Sequence, residues 1–222
     1  MYTEKKSHAD IAYDYIKEGI INKFFFPGTR LPEEDIVRVT GVSRTSVRAA
    51  LARLKYEGIV EGTPNRGMSV TRYRLEDIKS VYQIRQALEA AAFELAVENI
   101  TPDGIQRMRE ANRKLRIVTE KFSIGEFVKY NREFHWEIVL ATHNRFYEKY
   151  LSEVYNTIAV CLLFYNSTVD DRRSLALHEK IIQALLDKDV ESGKQAIIDD
   201  NACAVEDSHI MAMFGETPSR TS

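Results

Sequence analysis

Along the first third of the chain the period of the apolar positions changes. From about Ile11 to Ile21 apolar residues recur every three or four positions, the spacing of a short amphipathic helix. Pro27-Gly28-Thr29 breaks the chain after Phe24-Phe25-Phe26. Pro32 suits the first turn of a second helix, which runs with Ile36, Val37 and Val39 to Thr40, and Gly41-Val42 makes a tight turn. Ser43 is a natural N-cap for a third helix that reaches about Tyr56 and is ended by Gly58. The period then drops to two. Ile59-Val60-Glu61 and Met68-Ser69-Val70-Thr71 predict two short strands around the turn-rich tip Gly62-Thr63-Pro64-Asn65-Arg66-Gly67. Helix, helix, turn, helix, hairpin is the order of a winged helix-turn-helix.

From Leu75 onward strand signals almost vanish. A long alanine-rich helix is predicted from Asp77 to Asn99. Thr101-Pro102-Asp103 caps the next helix, with proline at its first position, and Ser123 with Glu126 reads as a capping box before Phe127. Further helices are predicted at about Arg145 to Tyr165, Ser174 to Asp187 and Val190 to Phe214. The expected fold is mostly α: a winged helix-turn-helix over residues 1–73, an all-helical bundle over 74–214 and a frayed tail over 215–222.

Composition changes this picture little. Hydrophobic and charged residues make up 44% and 29% of the 222 residues, ordinary values that leave room for a core without disulfides. Cys161 and Cys203 lack CxxC spacing and sit among apolar neighbours, as buried reduced thiols do. No stretch has the length of a membrane span, and the first residues lack the apolar run of a signal peptide, so the expected location is the cytoplasm, away from membranes. The formal net charge of −2 conceals an asymmetry. Residues 1–72 hold 12 Lys and Arg against 9 Asp and Glu, and the remainder holds 19 against 24. A basic front half fits an anionic partner.

The third helix carries the sharpest pattern. Val47, Ala50, Leu51 and Leu54 share one arc, whereas Arg44, Arg48 and Lys55 share another with Thr45 beside them. No acidic residue lies between Ser43 and Lys55. A first turn of Arg, Thr and Ser at a positive helix end suits phosphates and base edges. Asn65-Arg66-Gly67 puts one more cation at the hairpin tip. The cluster Glu33-Glu34-Asp35 disfavours DNA contact by the start of the second helix and suits that helix's own dipole.

These residues resemble the GntR family. The match lies in Pro27-Gly28-Thr29-Arg30-Leu31-Pro32, Gly41-Val42-Ser43-Arg44-Thr45, Val47-Arg48, Leu51, Leu54 and Glu57-Gly58-Ile59-Val60. The resemblance implies a bacterial-type transcription regulator that contacts its operator through Arg44, Thr45, Ser46 and Arg48, with Asn65, Arg66 and Gly67 in the wing. Ser46 stands where many members carry Pro, and Ala49 where many carry Glu.

In the second half, five polar residues fall on four apolar helix faces. Arg85 lies on the stripe of Ile78, Val81, Leu88 and Ala92; Asn131 and His135 are one turn apart beside Phe127, Val128 and Ile138; His178 lies between Leu175 and Ile182; Asp200 lies between Ile197 and Cys203. Such groups should meet in the interior, where each needs a partner, a water, a ligand or a metal. Tyr82, Tyr130 and Tyr165 are candidates for the wall of a cavity, and His143 is a turn residue.

This half resembles the FCD ligand-binding domain of the FadR-like branch of the same family. The resemblance rests on Ile84-Arg85 with Leu88-Glu89, Asn131-Arg132-Glu133-Phe134-His135, Ala141-Thr142-His143-Asn144, and His178-Glu179 with Ala184-Leu185. Metal-containing members pair an Asp one turn before a His with two later His residues. Carried over, that pattern implies a divalent metal such as zinc at Asn131, His135, His178 and Asp200, with Asn replacing the first Asp and Asp replacing the last His. The alternative is a hydrogen-bonded His–Asp cluster that ties the helices together. Arg85 has two readings as well: a clamp on an effector carboxylate, or a buried ion pair with a carboxylate such as Asp200.

The function implied is a sequence-specific, homodimeric regulator, a repressor on a palindromic double-stranded operator. A small organic acid bound at Arg85, Asn131, His135, His178 and Asp200 would control its affinity for DNA. Two alternatives differ in class: a metal-dependent hydrolase built on the His/Asp cluster, and a regulator whose sensor has lost its metal.

Overall fold

The structure is a computed structural model that describes residues 6–63, 67–121, 123–165 and 172–206. The chain divides between Tyr73 and Arg74 into two compact units.

The first unit opens with α1 (His8–Ile21). This helix starts three residues before the apolar period does, because Ser7 and Asp10 form a reciprocal cap: the Ser7 hydroxyl accepts from the Asp10 amide at 3.1 Å, and the Asp10 carboxylate accepts from the Ser7 amide at 3.2 Å. Next come α2 (Glu33–Thr40) and α3 (Arg44–Tyr56). Gly41, at φ 71°, closes α2 in the left-handed region that a β-carbon disfavours. Ser43 then caps α3 by accepting from the Ser46 amide at 3.2 Å. Strands β1 (Val60–Thr63) and β2 (Gly67–Val70) pair antiparallel, Val60 opposite Val70 and Thr63 opposite Gly67. The segment after Pro27 runs along the other edge of β2, with Gly28 and Leu31 amides donating to the Val70 and Met68 carbonyls and Val70 donating back to Thr29. Ile16, Ile20, Ile36, Val47, Ala50, Leu51, Leu54 and Val70 fill the core. The predicted winged helix-turn-helix and its core face are therefore present.

The second unit is helical throughout its described residues: α4 (Leu75–Asn99), α5 (Pro102–Lys121), α6 (Ile124–Ala141), α7 (Arg145–Tyr165), α8 (Arg172–Asp187) and α9 (Val190–Glu206). Thr101 caps α5 as expected, its hydroxyl accepting from the Gly104 amide at 3.1 Å. The capping box predicted at Ser123 does not form. Ser123 precedes α6 at ψ 97°, whereas the capping serines 7 and 43 sit at ψ 157° and 155°, so its hydroxyl makes no bond to the helix. The expected end of the last helix at Phe214 and the tail over 215–222 lie outside the described residues. No helix among the described residues is long and apolar enough to cross a membrane.

Phe93, Ala96, Met108, Phe134, Ile138, Leu151, Ile181 and Ile197 form the centre of the bundle. Helices α4 and α9 approach closely because Gly193 has no side chain: a β-carbon there would lie 2.0 Å from the fully buried Phe93 ring. Gly193→Ala should gain about 1 kcal/mol of helix propensity. Moving a ring that has no free space costs about 1–3 kcal/mol or more. Urea unfolding should show a net loss, and a more stable variant would mean the Phe93 ring can yield.

Candidate functional site

Two constellations stand out, one in each unit. In the first unit, Arg44 and Arg48 project from the exposed side of α3, opposite the buried Val47, Ala50, Leu51 and Leu54. Thr45 is exposed beside them. Ser46 is half-buried, and its hydroxyl lies 2.9 Å from that of Ser43, so it belongs to the cap. Both arginines have partners on α2. Arg44 meets Glu34 at 2.5 Å, and Arg48 Nε shares its proton between the Glu33 oxygens at 3.0 and 2.8 Å. The acidic cluster thus does more than serve its own helix dipole; it neutralises the guanidinium groups of α3. Gly67 opens β2 at φ 76°, while Asn65 and Arg66 lie outside the described residues.

The second constellation is buried. Burial of Arg85, His135, His178 and Asp200 is nearly complete, and their helices α4, α6, α8 and α9 aim them at one point. Asp200 is the centre: its Oδ2 lies 3.3 Å from His135 Nε2 and 3.5 Å from Arg85 Nη2, and its Oδ1 lies 3.6 Å from His178 Nε2. Oδ1 also accepts from the Ser174 hydroxyl at 2.6 Å. His135, His178 and Asp200 each offer a ligand atom, all within 4.8 Å of one another. Two ligands on a tetrahedral zinc ion with bonds of ~2.0–2.1 Å are separated by about 3.3 Å. The observed spacings are close to that, and neither His135 nitrogen nor His178 Nε2 has a hydrogen-bond partner. Each neutral imidazole keeps one nitrogen lone pair, and two such lone pairs beside a carboxylate make a donor set that suits a cation. Asn131 is half-buried on α6 and, with Arg85 and His135, lines a small, open-sided pocket whose wall also includes Arg132, Tyr155 and Leu162.

Arg85 is engaged in buried ion pairs. It pairs with Asp200 as expected, but its shorter bond runs to Glu89, where Nε donates to Oε1 at 2.9 Å. Its Nη2 makes no hydrogen bond. Glu89 appeared above only as part of a resemblance, and here it is a hub: the fully buried carboxylate accepts from Arg85, from the Tyr155 hydroxyl at 2.6 Å and from Asn201 at 3.2 Å. The available signal was its placement four residues after Arg85, where a helix puts opposite charges side by side. Asn112, Ser174 and Asn201 also join the cluster and had no such signal. Of the tyrosines expected at a cavity wall, Tyr82 is buried with its hydroxyl unpartnered, Tyr130 is half-buried, and the side chain of Tyr165 lies outside the description; Tyr155 is the one that lines the pocket. His143 occupies a turn at φ 51°, and both cysteines are buried. Burial pushes the Cys161 thiol up to about 12.

The charges follow from this packing. Burial works against the Asp200 anion, but the flanking imidazoles and Arg85 outweigh it and hold the carboxyl well below the usual range. The same balance lowers Glu89, with burial opposed chiefly by Arg85. Burial draws His178 down to about 3, against 6.5 ordinarily, so it is neutral in the folded chain. An unfolded chain binds that proton once the pH falls below about 6.5. The stability contributed by neutral His178 is therefore complete above pH 6.5 and is lost as the pH falls from 6.5 toward 3. In metal-free buffer, the loss between pH 6.5 and 5 should be roughly 1–2 kcal/mol smaller in a His178→Gln variant. Urea titrations at several pH values measure it; parallel curves would show that His178 is not held neutral.

Comparison with known proteins places both units. A model described as "Bacterial regulatory proteins, gntR family" matches residues 9–70, and the FCD domain model matches residues 80–199. The chain is 29% identical over 192 residues to the uncharacterized HTH-type transcriptional regulator YdhC of Bacillus subtilis, covering 84% of each protein. It is 28% identical over 123 residues to the HTH-type transcriptional repressor RspR of Escherichia coli, covering 55% of this chain and 54% of that one. The solved structure of McbR/YncC from E. coli superposes with a TM-score of 0.80 at 21% identity, over 95% of this chain and all of that one, a likeness of fold. Both sequence relatives are named as transcriptional regulators, and nothing in them supports the hydrolase alternative. With both models matched in order, and the second alone spanning more than half of the chain, this protein belongs to the GntR family of DNA-binding transcriptional regulators, in the group that carries an FCD domain.

Proposed function

We propose that the chain is a homodimeric, cytoplasmic repressor whose hold on a palindromic operator is set by a small organic acid. Residues 1–73 hold the DNA, with Arg44, Thr45 and Arg48 of α3 in the major groove and Ser46 supporting them at the cap; Asn65, Arg66 and Gly67 contact the neighbouring backbone. Residues 74–214 form the sensor. The observation that carries this reading is a buried guanidinium, Arg85, on the wall of a small pocket, whose Nη2 makes no hydrogen bond and only a long 3.5 Å ion pair with Asp200, beside three inward-facing ligand atoms. His135, His178 and Asp200 would hold a divalent metal there, with Asn131 adding a neutral oxygen, and such an ion would supply positive charge to one end of an acid. Arg85 Nη2 donates to the carboxylate, and Tyr155 and Leu162 shield it from water. Binding at α4 and α6 then biases the operator-competent arrangement of the dimer.

Metal analysis of purified protein and a thermal-shift screen of mono- and dicarboxylic acids, with and without chelator, test this directly. An acid at a hundred times its Kd should add about 2.7 kcal/mol of stability and weaken the gel shift of operator DNA. The effect should be lost in Arg85→Lys, which keeps the buried charge but not the planar fork. If no acid stabilises the protein, or if the acid acts equally on that variant, the clamp is wrong.

A further inference from the structure

The donor set described above comes from α6, α8 and α9, but one residue of α5 decides which nitrogen of His178 can act. Asn112 is fully buried. Its amide Nδ2 donates to Glu179 Oε1 at 2.6 Å and lies 3.5 Å from the Leu175 carbonyl oxygen, and both of these groups only accept. The amide cannot be turned over without setting its oxygen against the Glu179 carboxylate. Its Oδ1 therefore faces His178 Nδ1, at 3.1 Å. An amide oxygen has no proton to give, so Nδ1 must carry the imidazole hydrogen, and Nε2 is left with its lone pair. That nitrogen is the one without a hydrogen-bond partner, aimed at Asp200 Oδ1 from 3.6 Å. The Phe134 ring, stacked on His178 with centroids 3.8 Å apart and planes 11° apart, fixes the ring plane; Asn112 fixes rotation within that plane.

We infer that the Glu179–Asn112 pair is a positioning relay that holds His178 in its Nδ1–H tautomer and so presents Nε2 as a ready-made ligand for a divalent metal. The inference rests on the metal reading proposed above, and it assigns a role to two residues outside the ligand set. Glu179 is exposed, so the relay starts at the surface of α8 and ends at the buried nitrogen. Partners that orient ligating histidines typically change metal affinity by ~10–100-fold when removed.

The test uses the full-length, metal-free protein labelled with ¹⁵N-histidine. Long-range ¹H–¹⁵N spectra read the tautomer of His178, and competition with a chromophoric chelator reads Zn²⁺ affinity. Wild type should show Nδ1–H. Asn112→Leu should lose that signature and bind Zn²⁺ about 10–100-fold more weakly while remaining folded by circular dichroism. The exchanged pair Asn112→Asp with Glu179→Gln should restore both readouts, because the aspartate accepts from His178 and the glutamine donates to the aspartate. An Nε2–H signature in wild type, or unchanged Zn²⁺ affinity in folded Asn112→Leu, overturns the relay. A wild-type protein with the Nδ1–H signature that takes up no Zn²⁺ overturns instead the metal reading beneath it.

Discussion

Arg85→Met should cost roughly 3–5 kcal/mol of folding stability, a large share of what a domain of this size has to lose. The methionine fills much of the same space, so lost packing is a minor part. The loss comes from what remains. Glu89 and Asp200 are both buried; Glu89 is held as an anion against burial chiefly by this guanidinium, and Asp200 by the imidazoles of His178 and His135 with this guanidinium added. One of the two must then take a proton or draw water inward. Chemical denaturation of the purified variant measures the loss. A triple variant with Glu89→Gln and Asp200→Asn should recover a good part of it, since amides need no counter-charge. A single variant that unfolds like wild type would mean that the ion pairs are not held as described.

Arg44→Ala with Arg48→Ala should reduce operator affinity at least about a hundredfold, or ~2.7 kcal/mol, with folding almost untouched. Both side chains are well exposed, and exposed ion pairs contribute only ~0–1 kcal/mol to stability. The binding loss is compounded because truncation leaves Glu33 and Glu34 without their partners on the α2 surface next to α3. A gel shift with operator and scrambled duplexes distinguishes loss of reading from loss of charge. Equal binding by variant and wild type would remove α3 from the interface.

The contrast between these two sites explains what could be read from the chain alone. The α3 face was legible because a helix's own period sorts Val47, Ala50, Leu51 and Leu54 from Arg44 and Arg48, with no knowledge of neighbours. His135, His178 and Asp200 were legible for the same reason: a polar residue on an apolar stripe must be buried. What could not be read was which residues of other helices complete the site. Asn112 and Ser174 look like ordinary polar positions until α5 and α9 are packed against α8. Asn131, though one turn from His135, reaches only the edge of the buried face, because four residues overshoot a full turn by ~40°. The resemblance to FCD domains named ligands, and it could not name the second carboxylate, Glu89, that balances Arg85. The Ser123 box failed on backbone angles that no pattern of residue types encodes.

The ion pairs between α2 and α3 bear on how salt should affect this regulator. Glu33 and Glu34 are in effect tethered counterions, already seated on the arginines that would meet phosphate. A guanidinium that approaches DNA with its carboxylate alongside brings almost no net charge, so it displaces less of the condensed cation atmosphere than a bare one. The logarithmic dependence of binding on salt concentration should therefore be shallower than a count of arginines at the interface implies. Discrimination between operator and bulk DNA gains from the same arrangement: a random phosphate must compete with an internal carboxylate, and a well-placed guanine edge offers two hydrogen bonds in exchange.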